Sequence, residues 1–572
     1  MKTRLFYLLL CLTCAQLLSA QFTFDGKRPF YDKDQHLFIL TVPEEYFGQS
    51  HTFEFVPDDT IKKVVKDGIF VTTHMPFKII KGDTTYSFNY SSVNSGGYAR
   101  VRFTHLPVVK LVGTIADEYV VGEFLMQVPD DTVTRRMSAK IKWAGSSTNR
   151  PWYKKHNYHI KFLDDNGDKM DVSFYGLRND NHWRMDGGVI DLGRIRNKVS
   201  HELWADMAAR PYYADVQPKA KTHVNGFFVE YFDNDRYKGF SNMSEYLDRK
   251  QMKLKKYDDA NGEFHGMLWK AKEDTWQTLM AVDSIYDNTQ DNWGGFDLEY
   301  PQLEDVSPTD YHILSDAINF VQNSSNAEFH EHVSEYFDIP VLVDYYLFVN
   351  VLLASDNLCK NIIWGCYDGA VDKKLTLAVW DLDAVMGQNW TNADGYYRSP
   401  DVAPENDLTQ MSLLASNLLF TRLMKWPTFH RKAISRYWQL RNTVLTADSI
   451  INRFASHYDV LRHSGAIYRE EAMYNMGSDL FRHELNFQAE LEYLSDWLYR
   501  RFDYLDNNSV FTMIPGDVDV DGEVGISDVN TIIDILLNTM EDVSMLEFAD
   551  IDGDGEISIA DLNAEIDMIL LM

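Results

Sequence analysis

The chain has 572 residues, which is too long for a single hydrophobic core and predicts three or four domains. Hydrophobic residues make up 45% and aromatic residues 14% of the sequence, a composition that excludes a disordered protein. The formal net charge of −30 argues against nucleic acid as a partner, because its phosphates would be repelled.

The first twenty residues have the pattern of an export signal. Lys2 and Arg4 precede an apolar run, which ends in the small-residue cleavage site Leu18-Ser19-Ala20. The run is too short for a membrane anchor, and no later segment is predicted to span a bilayer. We therefore predict a signal peptide at 1–20 and a secreted or cell-surface protein. Cys359 and Cys366 remain after cleavage, either as a disulfide or as two buried thiols.

Short runs of alternating polarity follow, separated by turn residues such as Ser95-Gly96-Gly97. This pattern predicts a small antiparallel β-sandwich over 21–105. Its many aromatic residues belong either to its core or to a carbohydrate-binding surface.

A new region opens near residue 106 with further predicted strands. The small-residue loop Gly145-Ser146-Ser147 lies ahead of the strand Asn157–Phe162, which carries Lys161. Backbone amides of such a loop can cover the phosphates of a nucleotide while a lysine contacts them. The ordinary alternative is a lysine on the solvated face of a strand.

Two helices are predicted in the centre of the chain. Apolar residues recur at helical spacing over 191–207, with Glu202 beside that stripe. A second helix spans 338–354, is apolar on most faces and leads directly to Asp356. A buried helix is a rigid support for a reactive carboxylate.

After this second helix the sequence predicts a polar loop and a β-hairpin that turns at Asp368-Gly369. The hairpin places Asp356 and Asn361 of the loop near Asp381 and Asp383 at its end. Phosphoryl transfer uses such a set, with one carboxylate to orient the hydroxyl and Asn plus Asp to hold magnesium. The alternative is that these residues only cap turns. Residues 407–508 then have a helical, aromatic-rich pattern.

The C-terminal segment contains two twelve-residue loops with acidic residues at positions one, three, five and twelve and glycine at position six. Calcium prefers oxygen ligands around a sharp turn of this kind. The candidate calcium ligands are Asp517, Asp519, Asp521, Glu523 and Asp528 in the first loop and Asp550, Asp552, Asp554, Glu556, Ser558 and Asp561 in the second.

These paired loops resemble a type I dockerin module over 516–572. The resemblance implies calcium binding and docking to a cohesin-like receptor or another cell-surface protein, as in cellulosome-like assemblies. Gly525 stands where dockerins usually have Asn, Asp or Ser. The residues following each ninth position, Ile526-Ser527 and Ile559-Ala560, lie where dockerins select their partners.

The region 106–510 resembles the CotH family of spore-coat protein kinases and their relatives. The resemblance rests on Tyr158-His-Ile-Lys161-Phe, Arg196-Asn197-Lys198 with Glu202, Asn225-Gly226 with Tyr237-Lys-Gly239, Asp344-Tyr-Tyr, Asp356 with Asn361, and Trp380-Asp381-Leu-Asp383 with Gly387. The implied fold class is α+β: an atypical protein-kinase-like central domain, preceded by the β-sandwich and followed by an all-α dockerin-like calcium module.

The resemblance also implies roles for individual residues. Asp356 becomes the catalytic-loop aspartate, Asn361, Asp381 and Asp383 become magnesium ligands, and Lys161 contacts the ATP phosphates and pairs with Glu202. Lys155 is a reserve candidate for that lysine, Glu245 lies near the nucleotide, and Ser146 and Ser147 belong to the phosphate-covering loop. Here this loop reads Trp143-Ala-Gly-Ser-Ser147 instead of the family's Arg-Gly-Asn-Ser-Ser.

The leading hypothesis is an exported kinase that uses ATP, Mg²⁺ and a calcium-binding tail, and phosphorylates a protein Ser or Thr or another hydroxyl. A non-catalytic surface, adhesion or scaffold-docked protein is the alternative that the altered loop favours. A third hypothesis, action on a glycan, rests only on the association of dockerins with glycan-degrading complexes.

Overall fold

The structure is a computed structural model that describes residues 22–92, 96–145, 148–151, 153–258, 260–281, 292–302, 311–388, 402–408, 417–474, 485–537 and 546–571. The predicted signal peptide lies outside these residues. Within the described ranges, no helix combines the length and apolar character needed to cross a membrane.

Strands predominate up to Asp186 and helices follow Val379 in the described chain, so the fold is mixed α+β. The strands are β1 (Phe22–Phe24), β2 (Phe30–Asp32), β3 (Leu37–Thr41), β4 (His51–Pro57), β5 (Ile61–Lys66), β6 (Ile69–Val71), β7 (His74–Phe77), β8 (Tyr86–Ser92), β9 (Gly96–Thr104), β10 (Val108–Val112), β11 (Val120–Gln127), β12 (Arg135–Ala144), β13 (Asn157–Leu163), β14 (His182–Asp186), β15 (Gly226–Asp233), β16 (Arg236–Glu245), β17 (Met267–Ala271), β18 (Asn292–Trp293), β19 (Phe296–Tyr300), β20 (Ile362–Asp368) and β21 (Asp372–Val379).

The helices of the described chain follow the same order. They are α1 (Arg196–Met207), α2 (Arg249–Met252), α3 (His312–Asn323), α4 (Asn326–Tyr336), α5 (Ile339–Leu352), α6 (Leu418–Met424), α7 (Pro427–Arg441), α8 (Ala447–His463), α9 (Ala466–Tyr474), α10 (Phe487–Asn508), α11 (Ile526–Leu536), α12 (Leu546–Ala549) and α13 (Ile559–Leu571).

The described chain divides into two compact units that each contain separate stretches of sequence. The first unit contains the residues up to Ile195, Asn225–Tyr246 and Phe454–Glu490. The second contains Arg196–Val224, Leu247–Arg453 and the residues from Leu491 onward.

Two sheets at the start of the first unit share one aromatic core. One sheet has the order β1-β4-β7 and the other β2-β3-β9-β8-β5-β6. Phe24, Phe53 and Phe103 pack edge-on or stacked between them, as expected for strands whose alternate residues face inward. The expectation of a wholly antiparallel sandwich is wrong at one place, since β3 and β9 pair in parallel. The long connection between these two strands makes parallel pairing possible.

The second assembly of the first unit is a closed barrel with the order β10-β11-β12-β13-β14-β16-β15. The parallel pairing of β10 with β15 closes it. Tyr158, Ile160 and Phe162 of β13 enter the barrel core, whereas Lys161 is only partly buried. The alternation of a pleated strand therefore places Lys161 on the face opposite the core.

The second unit is built around the sheet β18-β19-β17-β20-β21 and the helix α5. Every residue of α5 except Pro340 is buried, because its sequence is apolar on all sides. Its acidic residue Asp344 is neutralised by an ion pair of 2.9 Å with Arg436. The predicted hairpin is present as the antiparallel pair β20 and β21.

The helix predicted at 191–207 begins later, at Arg196. Asp191 instead forms a turn in which its carboxylate accepts a hydrogen bond from the Gly193 amide at 2.7 Å. Arg194 then adopts a left-handed conformation, with φ of 60°, which ends the turn before the helix begins.

Candidate functional site

The loop that carries Asp356 is held by two buried hydrogen bonds of Asn357. After α5, Leu353 takes a left-handed conformation with φ of 52°, and a short 3-10 turn follows at Ser355–Asn357. The Tyr345 hydroxyl donates to the Asn357 carbonyl, and the Asn357 side chain donates to the Trp380 carbonyl at 2.9 Å. The first loop is thereby tied to the residue that precedes Asp381.

Asp356 is contacted by two neighbours from its own loop. The Asn361 side-chain amide donates to one carboxylate oxygen at 2.8 Å, and the Lys360 ammonium lies 3.2 Å from the other. Burial raises the pKa of the Asp356 carboxyl to about 6. Lys360 acts against this change, while the charges of Asp381 and Asp274 add to it.

Asn361 and Asp381 both have left-handed backbones, with φ of 59° and 56°. Asn and Asp tolerate this conformation better than other residues with a side chain, and such backbones cluster at functional sites. The backbone amide of Asn361 donates to the Ala271 carbonyl at 2.8 Å, and this bond anchors Asn361 to β17. Both predicted metal ligands are therefore fixed by the ends of strands.

The acidic turn after β21 is also fastened to α1. The side-chain oxygen of Asn197 accepts a hydrogen bond from the Leu382 amide at 3.0 Å. The fully buried Arg196 guanidinium donates to the Val385 carbonyl at 3.0 Å. The Arg196-Asn197 pair thus positions the turn that carries Asp381 and Asp383.

Two residues near the site, Lys360 and Asp274, were not singled out from the sequence. Lys360 could have been noticed, since it lies between Asp356 and Asn361. Asp274 lies far away in sequence, and no local pattern marks it. The thiol of Cys359 donates to Asp274 at 3.2 Å, and burial followed by the charge of Asp274 raises the pKa of that thiol. Cys359 and Cys366 are both free thiols.

The predicted phosphate-binding residues lie on the first unit. Lys161 lies over the ring of Tyr119, 4.8 Å from its centre. Its predicted partner Glu202 belongs to the second unit, where it forms an ion pair of 3.0 Å with Lys198. The pairing of Lys161 with Glu202 stays a prediction. Ser146 and Ser147 lie outside the described residues.

Lys155, the reserve candidate, is completely buried and pairs with Glu470 at 2.5 Å. The Arg194 guanidinium lies 3.0 Å from the same carboxylate. Burial lowers the pKa of Lys155 to about 8, although the charge of Glu470 acts in the opposite direction. This environment is that of an ion-pair cluster inside the first unit.

Glu245, predicted to lie near the nucleotide, is buried and joins two loops of the first unit. One carboxylate oxygen accepts a hydrogen bond from the Arg178 amide at 3.0 Å, and the other accepts one from the Asn225 amide at 3.0 Å. Through these contacts, Glu245 holds in place the loops that precede β14 and β15.

The two C-terminal acidic loops have equivalent internal geometry. In the first, Asp517 accepts hydrogen bonds from the Asp521 and Gly522 amides, at 2.9 and 3.0 Å. In the second, Asp550 accepts hydrogen bonds from the Asp554 and Gly555 amides, both at 3.0 Å. The candidate ligand atoms of Asp517, Asp519 and Asp521, and of Asp550, Asp552 and Asp561, lie within 4.8 Å of one another in each loop.

The remaining calcium candidates flank these clusters. Asp528 accepts a hydrogen bond from the Asp519 amide at 3.0 Å, so the twelfth position folds back on the third. The amides of Glu523 and Glu556 donate to Asp521 and Asp554 at 2.9 and 2.8 Å. Ser558, at the ninth position of the second loop, donates its amide to Asp561 at 2.7 Å.

Glu565 supports the fit of the first loop for a cation. Its buried carboxylate has no hydrogen-bond partner among the described residues. Burial, followed by the charges of Asp528 and Asp517, raises its pKa to about 7. An acidic group in such surroundings is stabilised when a divalent ion is bound nearby.

The comparisons with known proteins agree with the sequence motifs. Residues 141–505 match the CotH kinase protein family, and residues 515–570 match the dockerin type I domain. A search of curated proteins finds no match to this chain.

Solved structures of titin fragments show only weak similarity. The titin I-band fragment I67-I69 is 18% identical to this chain in the matched part. The match covers 25% of this chain and 61% of that fragment, and its TM-score is 0.08. The tandem Ig domains A164-A165 are 10% identical over 26% of this chain and 92% of that structure, also with a TM-score of 0.08. Scores this low carry no inference about the fold or function of this chain.

The raised pKa of Asp356 leads to a stability prediction. Its value in the folded state lies above the ordinary aspartate value, so its stabilising contribution is present below about pH 4 and is lost as pH rises through about 6. In metal-free protein at pH 7.5 we expect Asp356→Asn to raise the free energy of unfolding by roughly 1–3 kcal/mol. At pH 4 the gain should vanish.

Denaturant unfolding in EDTA at several pH values, followed by tryptophan fluorescence, measures this difference. Asp215→Asn, which changes an exposed aspartate of the same unit, is the control and should leave stability unchanged. An equal gain at pH 4 and pH 7.5 would show that the Asp356 charge is not the cause.

Proposed function

Because this chain belongs to the CotH kinase family and carries a dockerin type I domain, we propose that it is an exported phosphotransferase docked to a partner by its tail. It transfers the γ-phosphoryl group of ATP to the hydroxyl of a protein Ser or Thr or of another acceptor. The observation that carries the proposal is the link between two segments: Asn361 donates to Asp356 at 2.8 Å, and the Asn357 side chain of the same loop donates at 2.9 Å to the carbonyl of Trp380, the residue before Asp381.

The donor set at this site suits a divalent cation. Asp381 and Asn361 would hold magnesium through side-chain oxygens, with Asp383 beside them. Bound magnesium and nucleotide would supply the phosphoryl group and neutralise the charge that develops on it. Burial raises the pKa of Asp356 and the charge of Asp381 adds to that rise, so a bound cation would favour the charged carboxylate.

Asp356 is proposed to orient the attacking hydroxyl and to accept its proton. Its loop is held at the next residue, Asn357, whose carbonyl accepts from Tyr345 and whose side chain donates to the Trp380 carbonyl. Lys360 lies 3.2 Å away and favours the charged form of the carboxylate. On the first unit, Lys161 is proposed to contact the phosphates.

A nucleotide titration tests this proposal. ATP with magnesium should raise the melting temperature of the wild-type protein in saturating calcium, and labelled phosphate should appear on a protein acceptor. Asp381→Ala should abolish both effects, because it removes the principal magnesium ligand. Asp215→Ala, at an exposed aspartate of the same unit, should behave like the wild type.

The alternative, a non-catalytic scaffold, makes the opposite prediction. Wild-type protein that shows neither magnesium-dependent stabilisation by ATP nor phosphoryl transfer would overturn the enzymatic proposal. The docking role of the tail would be unaffected by that result.

The tail is proposed to bind two calcium ions and a cohesin-type receptor outside the cell. Ile526 and Ile559 both occupy the tenth position of their loops, where α11 and α13 begin. Both are largely exposed, at 73% and 68%. Two equivalent apolar side chains in solvent suit a protein interface.

The double variant Ile526→Glu/Ile559→Glu should weaken cohesin binding by about tenfold or more, since charge replaces the apolar contacts. The number of calcium ions bound should not change. Isothermal titration of the full chain with a panel of cohesin modules measures the affinity for the receptor. A separate titration with calcium measures the number of ions bound.

Val371→Glu, which changes an exposed valine in the turn between β20 and β21, is the matched control. Wild-type binding that persists in excess EGTA, or an unchanged affinity in the double variant, would contradict this account of the tail.

A further inference from the structure

Three side chains of the first unit converge although they are far apart in sequence. Glu44 begins a 3-10 turn, His105 follows β9, and His463 is the last residue of α8. One donor atom from each lies within 4.8 Å of the other two. None of these residues is among those proposed to hold magnesium, nucleotide or the acceptor hydroxyl, although His463 lies within the CotH match over 141–505.

One ring nitrogen of the buried His105 is not used in a hydrogen bond to the described residues. The residue is only 9% exposed, and its Nε2 has no hydrogen-bond partner among the described residues. The ring also forms a hydrogen bond to the backbone of Val460. Since Nε2 has no partner, Nδ1 makes that bond. Metal-binding histidines show this arrangement, in which one nitrogen donates to a carbonyl and the other keeps a lone pair for the ion.

The two imidazoles are held in place by an aromatic neighbour. The ring centre of Phe47 lies 5.4 Å from that of His105 and 5.3 Å from that of His463. The ring centres of the two histidines are 5.1 Å apart. The position of His463 at the C-terminal end of α8 also favours a cation there.

The site has an open side. Glu44, Phe47 and His463 line a groove of about 690 Å³, which gives an ion access from solvent. Ligand atoms around one tetrahedral zinc ion stand about 3.4 Å apart. The exposed side chains of Glu44 and His463 can close the remaining distance by small rotations.

We propose that Glu44, His105 and His463 form a binding site for one zinc ion. Two imidazoles and one carboxylate, with a fourth position open to water, are the donor set that zinc accepts. The ion joins the end of β9 to the end of α8 and so stabilises the first unit. The site is independent of the proposed kinase activity and of the calcium loops.

Titration of the full-length protein with zinc alone tests this inference, after removal of metals and with the tail saturated by calcium. Wild type should bind one zinc ion and melt at a higher temperature. Glu44→Gln and His463→Ala should each weaken zinc binding by about tenfold or more, since each removes a direct ligand. Both residues are exposed, so these variants should fold normally.

Glu45→Gln and His74→Ala change exposed residues of the same types in the same unit and serve as controls. They should keep the wild-type affinity. Substitution of cobalt for zinc adds a readout, because a visible absorption band of a tetrahedral site should appear in wild type and disappear in His463→Ala. No zinc bound by wild type, or equal zinc affinity in wild type and His463→Ala, would overturn the inference.

Discussion

The central constraint in this protein is the approach of Asp356 to Asp381 in a partly buried site. Two like charges in such surroundings repel each other, and the charge of Asp381 adds to the rise that burial causes in the pKa of Asp356. The fold holds them there with rigid elements: the buried helix α5, the hairpin β20–β21 and the hydrogen bonds of Tyr345 and Asn357. The proposed magnesium ion removes the repulsion, which links the stability of this loop to its function.

The calcium tail follows the same physical logic. Burial raises the pKa of Asp517 to about 6, and Glu565 lies beside it without a hydrogen-bond partner among the described residues. The first loop also contacts α7 of the same unit, since the Arg431 guanidinium donates to the Asp519 carbonyl at 3.1 Å. The acidic groups of this loop are the proposed calcium ligands, and a bound ion would offset their mutual repulsion.

Local sequence patterns predicted the elements that are defined by local periodicity. The apolar helix α5, the hairpin β20–β21 and both acidic loops belong to this class, and the family match over 141–505 confirms the CotH resemblance. Contacts between distant segments were not predictable. The parallel pairs β3–β9 and β10–β15, the position of Asp274 and the convergence of His105 with His463 all depend on tertiary packing. The start of α1 at Arg196 was missed because the side chain of Asp191 stabilises a turn.

The most direct measurement for the central claim is electron paramagnetic resonance of Mn²⁺, used in place of magnesium, in calcium-saturated protein with ATP. If Asp356, Asn361 and Asp381 surround a nucleotide-bound metal, the line shape of the Mn²⁺ signal with ATP should differ from that of free Mn²⁺–ATP, because protein oxygens replace water ligands, and Asp381→Ala should return it to the free spectrum. A wild-type spectrum identical to that of free Mn²⁺–ATP would contradict the account.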